Sequence, residues 1–181
     1  MGHIMISRNI VLIGYMGSGK TSLGKKIAKI FKLDFVDTDD LIVKKEKMSI
    51  SEIFALHGEE YFRETETEIL KSCLNYKNTV IATGGGAPLR EANRKILKKA
   101  GSVIFLRTTP ETTAERLKGD SGRPLLADSD ILEKSKKMLA QRMPAYMECA
   151  DAVIDTDGKS FYKLINEITP LIQNKSKIKD K

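Results

Sequence analysis

Tryptophan is absent from the chain, and the 181 residues include only two histidines and two cysteines. One histidine, His3, lies among the first residues, which leaves His57 alone; a Ser-His-Asp hydrolase and a multi-histidine metal centre are both disfavoured. His57 precedes Gly58 at an expected helix end, where a structural role suffices. Cys73 and Cys149 stand 76 positions apart, which is neither a zinc spacing nor a disulfide framework, and the pair suits a reducing cytoplasm. No apolar run approaches the ~18 residues of a membrane span, and no basic stretch followed by an apolar one opens the chain, so neither membrane nor export is expected. Met1 to Ile4 read as an expression-vector remnant. Acid–base chemistry therefore falls to carboxylates or lysine.

Charge of one sign is in modest excess. The formal net charge is +7, but Lys175 to Lys181 carries four lysines and one aspartate and supplies +3 of it. A second basic group, Arg94-Lys95 with Lys98-Lys99, falls on one expected helix. A solvated face and a frayed tail account for both. Aromatics are only 6% of the chain, and no zinc finger or basic–aromatic ribonucleoprotein motif is present, so no nucleic-acid partner is expected. Hydrophobic residues at 41% and charged residues at 30% mark a globular composition. The length suits one domain, spanning 5–174, with a basic and disordered tail at 175–181.

Short β-branched runs alternate with helical periodicity. Asn9–Gly14, Phe35–Asp37, Thr79–Ala82, Ser102–Leu106 and Ala152–Asp155 read as strands. Between them, Leu23, Ile27, Ile30 and Phe31 keep helical spacing. Ser49-Ile-Ser-Glu52 is a capping box opening a helix with Ile53, Phe54 and Leu56 inward; after a break at Gly58 the helix continues through Phe62, Glu66, Ile69 and Leu70. A further helix turns Ala92, Ile96 and Leu97 inward, and Thr109-Pro110 start another as N-cap and first residue. Residues 118–128 lose periodicity. Leu132, Ser135, Leu139 and Met143 share a helix face, and Phe161, Leu164, Ile165, Ile168 and Ile172 mark a closing helix. Five near-continuous apolar strands separated by helices predict an α/β fold, a parallel sheet covered on both faces.

Gly14-Tyr-Met-Gly-Ser-Gly-Lys20-Thr21 matches the phosphate-loop pattern G-x-x-x-x-G-K-[ST] at every fixed position, between a strand and a helix. Glycines let backbone amides wrap phosphates while the helix N-terminus adds a positive field; Lys20 would reach the β- and γ-phosphates and Thr21 would ligate Mg²⁺. The guanine motif Asn-Lys-x-Asp is missing and the length is too small for a motor, so a small kinase is favoured. Asp37-Thr38-Asp39-Asp40 closes the second strand, at the ligand-binding edge of such sheets. Its carboxylates could divide Mg²⁺ positioning and proton acceptance, or Asp39 or Asp40 could simply cap the next helix. Gly84-Gly85-Gly86 ends the third strand at the same edge, as an anion nest or a plain turn. Arg63, three residues before Glu66, reads as an intrahelical ion pair or as half of a carboxylate clamp, with Arg142 near its helix end as the other half. Arg123-Pro-Leu-Leu126, flanked by Gly119 and Gly122, fits a glycine-hinged lid at 118–128 or a surface loop.

Taken together, these motifs resemble the shikimate kinase family in order and spacing: the phosphate loop, Asp37-Thr-Asp39, Phe62-Arg63 with Glu66, Gly84-Gly85-Gly86-Ala87, Arg123-Pro-Leu-Leu126 and Arg142-x-Pro-x-Tyr146. The resemblance runs from about residue 8 to 172. It implies a three-layer fold similar to nucleoside monophosphate kinases, with sheet order 2-3-1-4-5, a lid, and a substrate-binding helical region near 39–75. It implies ATP-dependent phosphorylation of the 3-hydroxyl of shikimate on the route to chorismate and aromatic amino acids, by a cytoplasmic monomer with Mg²⁺. By the same resemblance, Gly14, Gly17, Ser18, Gly19, Lys20, Thr21 and Ser22 bind nucleotide with Arg116 and Arg123. Arg116 lies near adenine, with the loop from Asp155 to Lys159. Asp39, Arg63, Gly84, Gly85, Gly86 and Arg142 bind shikimate; Lys20, Asp39 and Arg123 are catalytic; Thr21 and Asp37 serve the metal. Two rivals stand beside this reading: a gluconate-type small-metabolite kinase, and a nucleotide-switched regulatory protein.

Overall fold

The computed structural model describes residues 8–117 and 131–173. The expected remnant at 1–4, the lid at 118–128 with Arg123, and the tail at 175–181 lie outside the described residues. In chain order the elements are β1 (Asn9–Ile13), α1 (Lys20–Phe31), β2 (Asp34–Asp37), α2 (Thr38–Glu46), α3 (Ile50–Ser72), β3 (Thr79–Ala82), α4 (Glu91–Ala100), β4 (Gly101–Arg107), α5 (Pro110–Leu117), α6 (Ile131–Cys149), β5 (Ala152–Asp155) and α7 (Phe161–Gln173). The sheet is parallel throughout, in the order β2-β3-β1-β4-β5. That is the order the resemblance implies.

The central strand shows why the sheet is sandwiched. Every residue of β1 is buried, and consecutive side chains go to opposite faces. Ile10 and Leu12 join Leu23 and Ile27 of α1 and Leu164, Ile168 and Ile172 of α7. Val11 and Ile13 join Leu97 of α4, Leu139 and Tyr146 of α6, and Leu70 of α3. A smaller cluster of Ile42, Ile53 and Phe62 holds α2 against α3, beside the sheet.

The capping box forms as expected: Glu52 N–H donates to Ser49 Oγ at 3.2 Å, and Ser49 N–H donates to Glu52 Oε2 at 2.7 Å. Gly58, with φ of +81°, breaks the helical path inside α3 where the break was expected. Two expectations about helix faces are corrected. Phe54 and Leu56 point outward, because the small α2–α3 cluster covers one face only and takes Ile53; Phe54 stacks on Phe62 with ring centroids 4.7 Å apart. In α4 the inward positions are Asn93, Leu97 and Ala100, and Ala92 is exposed. Asn93 Oδ1 accepts from the Thr67 hydroxyl at 2.8 Å, and this cross-helix bond takes the place given to Ala92. The basic group on α4 is largely tied down: Arg94 pairs with Glu148 at 3.1 Å and Lys95 with Glu91 at 2.6 Å.

Asn9 pins the bottom of the sheet. Its amide nitrogen donates to the carbonyls of Tyr76 (2.7 Å) and Ala100 (3.0 Å), and its oxygen accepts from Thr79 N–H at 3.1 Å. Asn9→Leu keeps the volume but leaves those buried backbone groups unpaired, at about 1–3 kcal/mol for each group truly lost to solvent. The expected outcome is a loss of about 3 kcal/mol in urea unfolding, with turnover per folded molecule unchanged.

Candidate active site

The sheet's carboxyl edge gathers the charged residues. The loop after β1 turns into α1 through Gly14 and Gly19. A methyl group on Gly14 would lie 2.6 Å from the Leu106 carbonyl oxygen, and Gly19 sits at φ +91° as the N-cap of α1. That N-cap offers no side-chain hydrogen bond, and the first turn holds no acid. The amides at the positive end of this helix therefore face an anion site. Lys20 Nζ donates to the carbonyls of Gly14 (2.8 Å) and Tyr15 (2.9 Å). Ser18 Oγ is buried and, among the described residues, has no hydrogen-bond partner.

On one side of this loop a cleft of about 610 Å³ is lined by Gly17, Ser22, Arg116, Thr156 and Lys159. Arg116 donates to the Gly17 carbonyl at 2.8 Å, tying α5 to the phosphate loop. Asp157, next in the chain to Thr156, anchors this segment to the start of α5. One carboxylate oxygen accepts from the Thr108 hydroxyl at 2.7 Å and the other from Thr109 N–H at 2.8 Å. These bonds hold its pKa below the ordinary range, although burial works the other way. The expected loop from Asp155 to Lys159 contains Asp157, but no pattern singled that residue out, because a lone acid after a strand carries none.

Asp37 ends β2. Its Oδ2 accepts from the Thr21 hydroxyl at 2.7 Å and its Oδ1 from Asp39 N–H at 3.1 Å. The cap of α2 is thus Asp37, and Asp39 and Asp40 fall in the first turn; neither caps the helix, because the chain already enters it at Thr38. Thr21 and Asp37 bring hard oxygen donors together beside the phosphate loop, the donor set that suits Mg²⁺. No group of three His, Cys, Asp or Glu residues fit to hold a metal occurs among the described residues.

The glycine turn after β3 gathers the rest. Gly84 N–H donates to the Thr38 hydroxyl at 3.1 Å, fastening the turn to α2. A methyl on Gly84 would lie 2.6 Å from Asp39 Oδ1 and 3.0 Å from Glu66 Oε1; one on Gly85, 3.5 Å from Met16 N and 3.6 Å from Arg142 Nη1; one on Gly86, 2.3 Å from Arg63 Nη1. Both guanidinium groups therefore rest on adjacent glycines, next to Asp39 and the phosphate loop. Arg63 pairs with Glu66 at 3.0 Å and with Glu59 at 3.2 Å. Glu66 is 1% exposed. Burial pushes its carboxyl above the ordinary range, Arg63 opposes the shift, and the charge of Asp39 adds to it. Arg142 is in mid-helix rather than near a terminus, because α6 runs on through Pro144 to Cys149. Its guanidinium lies 5.4 Å from the centre of the Tyr15 ring. Tyr15 occupies an unconstrained position of the phosphate-loop motif, and sequence reasoning passed over it.

The shikimate kinase family model matches residues 16–173. A shikimate kinase of Thermodesulfovibrio yellowstonii is 50% identical over 151 residues, covering 83% of this chain and 87% of the relative. One from Francisella tularensis is 41% identical over 167 residues, with 92% and 95% covered. Among solved structures, the shikimate kinase of Acinetobacter baumannii in complex with shikimate superposes with a TM-score of 0.87 at 37% identity, covering 96% of each chain.

Gly86→Ala isolates one half of this arrangement. Its backbone is unstrained, so the added methyl acts only by displacing the Arg63 guanidinium. Losing charge-assisted hydrogen bonds of about 1.5–3 kcal/mol corresponds to a 10- to 100-fold rise in KM for an acidic acceptor. Nucleotide affinity, measured by calorimetry, is expected to stay within about twofold.

Proposed function

The chain belongs to the shikimate kinase family, whose members use ATP to phosphorylate shikimate, and we propose how this chain's own residues divide that work. Arg63 and Arg142 hold the shikimate carboxylate as a two-armed clamp. Planar guanidinium groups suit that task, since each offers paired donors to a carboxylate. Gly84, Gly85 and Gly86 form the bed on which the ring lies. At the opposite end Asp39 aligns the 3-hydroxyl and accepts its proton as the oxygen attacks.

The glycines of the phosphate loop, with Ser18 and Ser22, wrap the ATP phosphates, and Arg116 lies beside the adenine. Lys20 exchanges the carbonyls of Gly14 and Tyr15 for the β- and γ-phosphates. The γ-phosphorus–oxygen bond to ADP breaks as the bond to the shikimate oxygen forms, and ADP leaves with the former bridging oxygen. Thr21 and Asp37 would hold Mg²⁺, which neutralises phosphate charge when bound. Arg123, outside the described residues, supplies positive charge to the transferring group and helps exclude water. We place the enzyme in the cytoplasm as a monomer, in keeping with its two buried free cysteines.

The single observation that carries this division is the seating of Arg63 and Arg142 on adjacent glycines beside the phosphate loop. Gluconate is also a carboxylate, so what separates the two acceptors is the ring that lies on the glycine bed, not the acid group. An ADP-release assay with Mg·ATP tests the reading: release is expected with shikimate and not with gluconate, and the reverse pattern would overturn it. Arg63→Lys preserves the charge but loses the fork, so the shikimate KM should rise by about tenfold or more with ATP binding intact; an unchanged KM would remove Arg63 from the clamp. For Asp39→Asn, kcat should fall by about 10²- to 10⁴-fold with the fold preserved, as judged by circular dichroism. Near-normal turnover would exclude the base role.

A further inference from the structure

Met138, Arg142 and Tyr146 follow one another at four-residue intervals in α6, a spacing that stacks side chains on one face of a helix. Each meets the floor of the site. Tyr15 Oη lies 3.3 Å from Met138 Sδ, the Arg142 guanidinium covers the Tyr15 ring, and the Tyr146 hydroxyl donates to the Gly85 carbonyl at 2.6 Å. Tyr146 has no exposed surface, and its ring stacks on Phe105 with centroids 4.9 Å apart. Burial pushes its hydroxyl up to about 12, with Arg142 opposing, so it stays a donor at any working pH.

The bond falls on a sensitive peptide. Three consecutive glycines have more backbone freedom than any other run, and here they must present one definite surface to two arginines and a carboxylate. Rotating the Gly85–Gly86 peptide would move the bed under Arg63 and the neighbour of Arg142 together. We infer that Tyr146 is a positioning residue for the acceptor: its hydroxyl fixes the Gly85 carbonyl, so the glycine turn and Arg142 stand in their binding arrangement before shikimate arrives. The inference rests on the reading of Arg63 and Arg142 as the carboxylate clamp. The reaction gains because a turn ordered in advance need not be ordered by the substrate.

Tyr146→Phe in the full chain keeps the stacking on Phe105 and removes only the hydroxyl. The shikimate KM is expected to rise about tenfold, as loss of one buried hydrogen bond predicts, while the ATP KM stays within about twofold and kcat changes less than the shikimate KM. A purely structural role would lower the melting temperature and move both KM values alike, or neither; either result overturns the inference. Wild-type enzyme that fails to phosphorylate shikimate would defeat the clamp reading itself, before the variant is measured. A second measurement does not depend on how the variant folds. In wild-type protein the Tyr146 hydroxyl proton should exchange slowly enough to appear in proton NMR, and its resonance should shift on addition of shikimate. A resonance that is absent, or indifferent to shikimate, contradicts the inference.

Discussion

The site depends on the absence of side chains at both ends of a three-glycine turn. Gly84, Gly85 and Gly86 let two guanidinium groups, two carboxylates and the phosphate loop approach one short stretch of backbone. A single methyl group at either end of the turn would come closer to a charged side chain than real packing allows. Other features of the edge have substitutes: an arginine can reach from several helices, and a carboxylate can sit on either neighbour. The close approach at Gly84 and Gly86 has none, because a Cβ at either position would push apart the charged partners gathered there.

Burial of charge follows from that closeness. Arg63 and Glu66 are taken together out of water at the edge of the sheet, at a desolvation cost their attraction only partly offsets. Pairs of this kind are poor sources of stability, and losing one member costs about 3–5 kcal/mol because the other is stranded. The benefit is orientation. Glu66 and Glu59 accept from the Arg63 guanidinium and hold it against Gly86. Asp39, close to Glu66 beside Gly84, shares this crowded field.

How much of this the sequence carried depended on whether a feature was local. The phosphate loop, the capping box at Ser49, the break at Gly58 and the strands Thr79–Ala82 and Ala152–Asp155 follow from short-range patterns, and the structure has them where the pattern put them. Face assignments failed where a partner element, not periodicity, chose the inward residue: Asn93 displaced Ala92 because Thr67 lay opposite, and Leu56 stayed in solvent because the α2–α3 cluster is small. The site was legible as a set of residue types, but the contacts of two of its supports were not. Asp157 and Tyr15 act through contacts with distant segments, and no spacing announces such contacts. Tyr146 is intermediate, since it stood in the motif Arg142-x-Pro-x-Tyr146 without disclosing its bond to the Gly85 carbonyl.

Changing the ligand instead of the protein tests the central claim most directly. Shikimate methyl ester keeps the ring and its three hydroxyls but has no carboxylate, so a clamp of two arginines has nothing to hold. Measured side by side under Mg·ATP, kcat/KM for the ester is predicted to fall at least about 100-fold below that for the acid, the loss expected when two partly buried cations are left without their anion. Equal phosphorylation of ester and acid would contradict the account, because the arginines on the glycine turn would then not be what selects the acceptor.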